Sequence, residues 1–170
     1  MVLGLSLAAF TAVHVAISLI AIVTGLVVVV GMRGSQRLPA WTAVFLATTF
    51  LTSATGFGFP FTGLMPSHIF GIITLVVMAF EVPGLYLFHL AGRWRWIYVV
   101  GAVFTLYLNV FVLVVQSFLK VPVLTALAPT GSEPPFAVAQ LIVLVVFIGL
   151  GVMAVRSFRP DAAQPRLSPA

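Results

Sequence analysis

An all-α bundle of membrane-spanning helices is the fold class the sequence predicts, and three observations predict it. The 170-residue chain is 62% hydrophobic and only 6% charged, with a mean hydropathy of +1.24; a soluble domain carries about 25% charged residues. Its apolar residues fall into five runs long enough to cross ~30 Å of hydrocarbon at 1.5 Å per helical residue. Its eight basic residues stand in small clusters between those runs, the pattern left by orientation in a bilayer and not the basic face that binds nucleic acid. The lipid bilayer is the first partner implied, and nucleic acid is not one. The absence of cysteine removes disulfides, thiolate catalysis and Cys-ligated metal from consideration.

The spans follow in order. The first covers about 5–32 and ends at the polar turn Arg33-Gly34-Ser35-Gln36-Arg37-Leu38-Pro39. No basic region precedes it and it is too long for the core of a cleavable signal, so it is expected to remain as a helix. The second covers about 40–59. Pro60, Gly63 and Pro66 break the chain before the third, 67–90, and predict a tight hairpin where one long helix is the alternative. The fourth, 96–119, follows Arg93-Trp94-Arg95. The fifth, 136–155, precedes a polar tail; a single transmembrane domain over 1–158 and a flexible tail over 159–170 result. Between the last two spans, Lys120 to Pro135 forms the longest loop. Its apolar stretch Val121–Leu127 suits the membrane interface, and Ser132 with Glu133 suits the start of the fifth helix by capping and by charge at its positive end.

Five crossings place Arg33, Arg37, Arg93, Arg95, Arg156, Arg159 and Arg166 on one side and Lys120 alone on the other. Positive loops face the cytoplasm, so the amino terminus is expected outside and the carboxyl terminus inside. Four crossings would divide the arginines. Trp41, Trp94 and Trp96 then all sit at the cytoplasmic interface, where amphipathic rings settle. A bacterial inner membrane is the expected location.

Ionisable groups within spans are costly and are functional candidates by default. Glu81 lies 13 residues beyond His68 on the third span, hence ~20 Å deeper and past the midplane. Without a cation nearby it is expected to stay neutral, donating to the Ala79 carbonyl that Pro83 leaves free or to a neighbouring hydroxyl. His14 and His68 both fall near the outer boundary and, facing one another, would suit haem b or a transition metal. Thr105, Asn109, Gln116 and Lys120 share one face of the fourth span, Thr49, Thr52 and Gly56 one face of the second, and Gly71, Thr74, Met78 and Glu81 one face of the third. With Tyr107 and Gln140 they form a polar seam, either glue between helices or the lining of a ligand cavity. Gly56 and Gly58 permit unwinding beside Phe57, Phe59 and Phe61, rings that either stack on a quinone or pack against lipid.

The strings Arg93-Trp94-Arg95-Trp96-Ile97-Tyr98-Val99-Val100, Tyr107 to Gln116 and Leu127 to Phe136 resemble a family of small multi-pass proteins of the bacterial inner membrane with no assigned activity. The likeness covers the second to fifth spans and implies no catalytic residue. The leading expectation is a small ligand-binding or accessory subunit, non-enzymatic, with its polar seam open to the outer side. Its ligand set is His14, Thr52, His68, Glu81, Tyr107, Asn109, Gln116 and Gln140. A redox module holding haem b or quinone and a proton or small-solute transport subunit built on Glu81 are the alternatives. A chain this short would form a permeation pathway as a homo-oligomer or within a larger membrane complex. Ser-His-Asp sites and Gly-rich phosphate loops are missing from the sequence, which disfavours hydrolytic chemistry.

Overall fold

A computed structural model describes residue 2 and residues 4–60 and 66–160, without the side chains of residues 66 and 67. Phe61 and Gly63 of the expected hairpin, and Asp161 and Arg166 of the tail, lie outside the described residues. Among the described residues six α-helices follow one another: α1 Leu7–Arg33, α2 Pro39–Gly56, α3 Pro66–Tyr86, α4 Trp94–Lys120, the single short turn α5 Pro122–Leu127, and α6 Pro134–Ser157. The described residues contain no strand.

Each helix has a local cause. Ser6 caps α1, its hydroxyl accepting from the Ala9 N–H at 3.2 Å. Proline opens α2, α5 and α6, where its missing N–H has no partner to lose. Among the described residues four helices, α1, α3, α4 and α6, are long and apolar enough to cross a membrane. The 18-residue α2 falls short of that measure, because five threonines and Ser53 dilute its apolar content.

Three boundaries differ from expectation. α2 ends at Gly56, three residues before the predicted end of its span. α3 stops at Tyr86, four residues before the predicted end of its span. The N–H groups of Leu87 and Phe88 both return to the Pro83 carbonyl at 2.9 Å, and His89 and Leu90 then take positive φ values of 48° and 65°, so the chain reverses early and leaves His89 exposed. At α6 the N-cap is Glu133 and not Ser132. The Glu133 carboxylate folds back onto its own loop, accepting from Thr130 N at 3.0 Å, Thr130 Oγ1 at 2.9 Å and Ser132 N at 3.0 Å. These donors, the Thr130 N–H foremost, hold its carboxyl below the usual carboxylate range. α5 is tied to the end of α4 by Thr125 Oγ1 donating to the Phe118 carbonyl at 2.7 Å, and it leaves Val123 and Leu127 exposed, in keeping with an interfacial position.

Hydrocarbon supplies no hydrophobic drive between helices, so close packing at small residues carries the assembly. α4 is the central post, burying Tyr98, Val99, Gly101, Ala102, Val103, Thr105, Leu106, Leu108 and Phe118. α1 reaches it through Gly25, which lies against Leu106 and against Phe45 of α2. α3 runs antiparallel to α4, with Gly84 at Trp94 and Phe70 at Phe111. α6 is also antiparallel, pairing Phe136 with Phe118, Phe147 with Tyr107 and Phe158 with Tyr98. It buries only Phe147 and Ala154 along its length and is the peripheral helix.

One end of the bundle is a cationic lock. Arg95 Nη1 donates to the Phe158 carbonyl at 2.6 Å and the Val155 carbonyl at 3.2 Å, satisfying orphan carbonyls at the end of α6. Ser35 Oγ donates to Ser157 O at 2.9 Å and accepts from Arg159 N at 2.6 Å. The turns carrying Arg33 and Arg37, Arg93 and Arg95, and Arg156 and Arg159 therefore gather at this arginine-rich end, and Glu133 and Lys120 lie at the other.

Candidate functional site: a buried carboxyl between α3 and α4

Gly71, Thr74, Met78 and Glu81 do share the inward face of α3: the last three are buried and Gly71 meets the Phe57 ring. Glu81 is 0% exposed. It lies against Gly101 so closely that a β-carbon at Gly101 would stand 2.6 Å from Glu81 Oε2 and 2.9 Å from its Cβ. Only glycine allows α4 to pass there. The expected bond from Glu81 to Ala79 O or to a hydroxyl is not made: neither carboxyl oxygen has a hydrogen-bond partner. The reason is steric, since the pocket that Gly101 opens directs the carboxyl across to α4 and away from its own helix.

Beside it stands a pair of hydroxyls that spacing arguments do not single out. Tyr98 is buried, lies beside Thr42 of α2, and is within electrostatic reach of Glu81. Thr42 Oγ1 donates to the Arg37 carbonyl at 3.0 Å, and the Tyr98 side chain comes up beside it. The two hydroxyls stand between the neighbourhood of Glu81 and the turn at the arginine-rich end. Tyr98 and Thr42 face each other across different helices 56 residues apart, a separation no periodicity encodes. The sequence signal that could have found the site is Gly101, a small residue two turns into an apolar helix.

The other predicted residues do not meet as one site. At the opposite end His14 Nδ1 lies 2.8 Å from Thr55 Oγ1. The Thr55 proton is used at 2.6 Å on the Leu51 carbonyl, so Nδ1 is the donor and Nε2 carries the lone pair. The His14 ring stands edge-on to Phe59 at 5.2 Å, whereas the buried His68 stacks on Phe57 at 5.6 Å. α2 unwinds after Gly56, as its glycines predict, and this is what turns Phe57 and Phe59 toward different helices. Asn109 Nδ2 donates to Thr49 Oγ1 at 3.4 Å, and Gln140 Nε2 to the Phe111 carbonyl at 3.2 Å. Thr52 Oγ1 and Gln140 Oε1 are buried without a partner. Tyr107 faces α6 among Phe104, Phe111 and Phe147, and Gln116 and Lys120 are exposed. Gln116 was expected inside. Phe118 takes the inward position of that last stretch by packing on Phe136.

Thr105 of the seam, and several hydroxyls outside it, bond locally. Thr24, Thr48, Thr105 and Ser117 bond to carbonyls of their own helices. Among the described residues no group of three or more His, Cys, Asp or Glu is placed to hold a metal ion.

The two kinds of contact have different expected energies. Gly101→Ala overpacks a site that cannot open and should cost about 1–3 kcal/mol, whereas Asn109→Leu removes one interhelical bond worth about 0.6 kcal/mol. Unfolding of both variants in detergent micelles checks the order; equal losses would remove the distinction between wedge and glue. In comparisons with known proteins, no family model, no curated protein and no solved structure matches this chain.

Proposed function

We propose that the chain is a five-span protein of a bacterial inner membrane, amino terminus outside and carboxyl terminus in the cytoplasm, in which Glu81 is a proton-binding site serving proton-linked transport. Four spans are α1, α3, α4 and α6, and α2 is the fifth. Support for α2 comes from its place in the bundle: it carries the chain from Leu38, at the arginine-rich end, to Thr55 beside His14 at the other. A five-span path also leaves every arginine-bearing turn at one end, the end that faces the cytoplasm under the positive-inside rule. Because the sequence holds no cysteine, single substitutions give clean reporters. In intact cells a membrane-impermeant maleimide is expected to label Ser132→Cys and to spare Gln36→Cys until the membrane is opened; labelling of both in intact cells contradicts the five-span path.

The observation that carries the proton reading is the Glu81 carboxyl, fully buried with both oxygens unpartnered. An ionised carboxylate at such depth costs at least about 2.5–3.5 kcal/mol, and a buried polar group left unsatisfied costs about 1–3 kcal/mol. Glue between helices would satisfy the group; a site that takes up and releases a proton needs it poised. Tyr98 and Thr42 are the hydroxyls between Glu81 and the turn at Arg37, and the proton of Glu81 is exchanged with water on that side, at the cytoplasmic end. In proteoliposomes with a pH-sensitive dye inside and an imposed potential, the wild type is expected to move protons and Glu81→Gln to stop them. Tyr98→Phe should slow them by roughly 10²-fold. Unchanged flux in Glu81→Gln contradicts the reading.

A second reading is favoured by Thr52 Oγ1, which is buried and unpartnered, one turn from the long Asn109–Thr49 bond. It is a small-ligand or redox site at the outer end, with the phenylalanines as a quinone seat or His14, whose Nε2 carries the lone pair, as a single ligand of haem b. An absorption spectrum and an organic extract of the purified protein separate it from the first: a Soret band lost in His14→Ala, or a quinone lost in Asn109→Ala, would move the function there.

A further inference from the structure

The face between α4 and α6 is not filled by protein. A groove of about 560 Å³ runs along it, from Trp96 and Arg156 at one end, past Val103 and Gly151, to Tyr107 and Leu144. From Leu144 to Arg156 is 12 residues of helix, ~18 Å at 1.5 Å per residue. Half of a ~30 Å hydrocarbon core is about that length, so the groove matches one leaflet. Every lining side chain between its two ends is apolar apart from the Tyr107 hydroxyl.

The mouth is charged. Arg156 lines it, and the Arg95 guanidinium is fixed 5.1 Å over the Trp96 ring by its bonds to the Phe158 and Val155 carbonyls. Among the described residues the only acids are Glu81, which is sealed in the core, and Glu133, which lies at the other end. Two guanidinium groups therefore stand at the head of an apolar slot with no counter-charge among the described residues. Guanidinium pairs with phosphate through parallel hydrogen bonds, and tryptophan settles at headgroup level.

We infer that this groove is a binding site for an anionic phospholipid from the leaflet at the arginine-rich end, one acyl chain lying between α4 and α6 and the phosphate held at Arg156 and Arg95. The inference is independent of Glu81, which lies on the other side of α4. A zwitterionic lipid fills the same slot with its chain but gains less from two positive charges, and each basic side chain near a membrane surface contributes ≈ 1 kcal/mol toward an anionic lipid, about fivefold in affinity.

The test is native mass spectrometry of the full chain released from nanodiscs that hold phosphatidylglycerol and phosphatidylcholine with identical acyl chains. The wild type is expected to retain one phosphatidylglycerol in preference to phosphatidylcholine. Arg156→Gln should lower that preference about fivefold. Gly151→Leu should expel both lipids, because a β-carbon at Gly151 meets only Val103 at 3.5 Å and the rest of the side chain projects into the slot. Val152→Phe fills the same slot from an exposed position and serves should Gly151→Leu fail to fold. Equal retention of the two lipids by the wild type overturns the inference. So does retention of phosphatidylglycerol at the wild-type level by a folded groove-filling variant, since the lipid would then be adsorbed at the arginines with no chain in the groove.

Discussion

The contact between Glu81 and Gly101 is the constraint on which the rest of the structure turns. A carboxyl group has been placed where water does not reach and where no donor or acceptor meets it. α4 can pass α3 at that depth because residue 101 has no side chain. The same approach brings Tyr98 beside the acid and sets α4 as the post around which α1, α3 and α6 are arranged. In lipid, where apolar surface gains nothing from meeting other apolar surface, such a fit between a glycine and a neighbouring side chain decides which faces meet.

The two ends of the bundle solve different problems. At the arginine-rich end, backbone carbonyls of α6 are satisfied by Arg95 and the α1–α2 turn is tied to the chain after α6 through Ser35. That is a polar lock at a wet boundary, where exposed charge is inexpensive. At the opposite end the contacts are aromatic, with Phe10 on Phe59, His68 on Phe57 and Phe118 on Phe136. Between them, threonine hydroxyls fold back on their own helices and leave little free polarity in the middle apart from Glu81 and Thr52.

Helix existence was legible in the sequence because span length and charge spacing are properties of lipid thickness, and the boundaries of α1, α4 and α6 fall within about two residues of the expected ones. The α3 face bearing Glu81 was legible too, since helical periodicity alone places Gly71, Thr74, Met78 and Glu81 together. The early end of α3 was not: Pro83 was read as freeing the Ala79 carbonyl, and its own carbonyl instead gathers two N–H groups and reverses the chain. Nor could spacing show which helices face each other. Tyr98 meets Thr42 through tertiary packing, and Tyr107 and Asn109, two residues apart, turn to opposite sides of α4. The polar seam that looked continuous on paper is divided by the helices it was meant to join, and Gln116 lost its inward place to a larger apolar neighbour.

The central claim is that Glu81 holds a proton in an enclosed, unbonded state from which it can be exchanged. Infrared difference spectroscopy of the reconstituted protein, wild type minus Glu81→Gln at neutral pH, reads that state directly. The account predicts a carbonyl stretch of a protonated, weakly hydrogen-bonded carboxylic acid that shifts when the sample is moved into heavy water. A carboxylate signal in its place would mean that Glu81 is charged and paired, and would contradict the account.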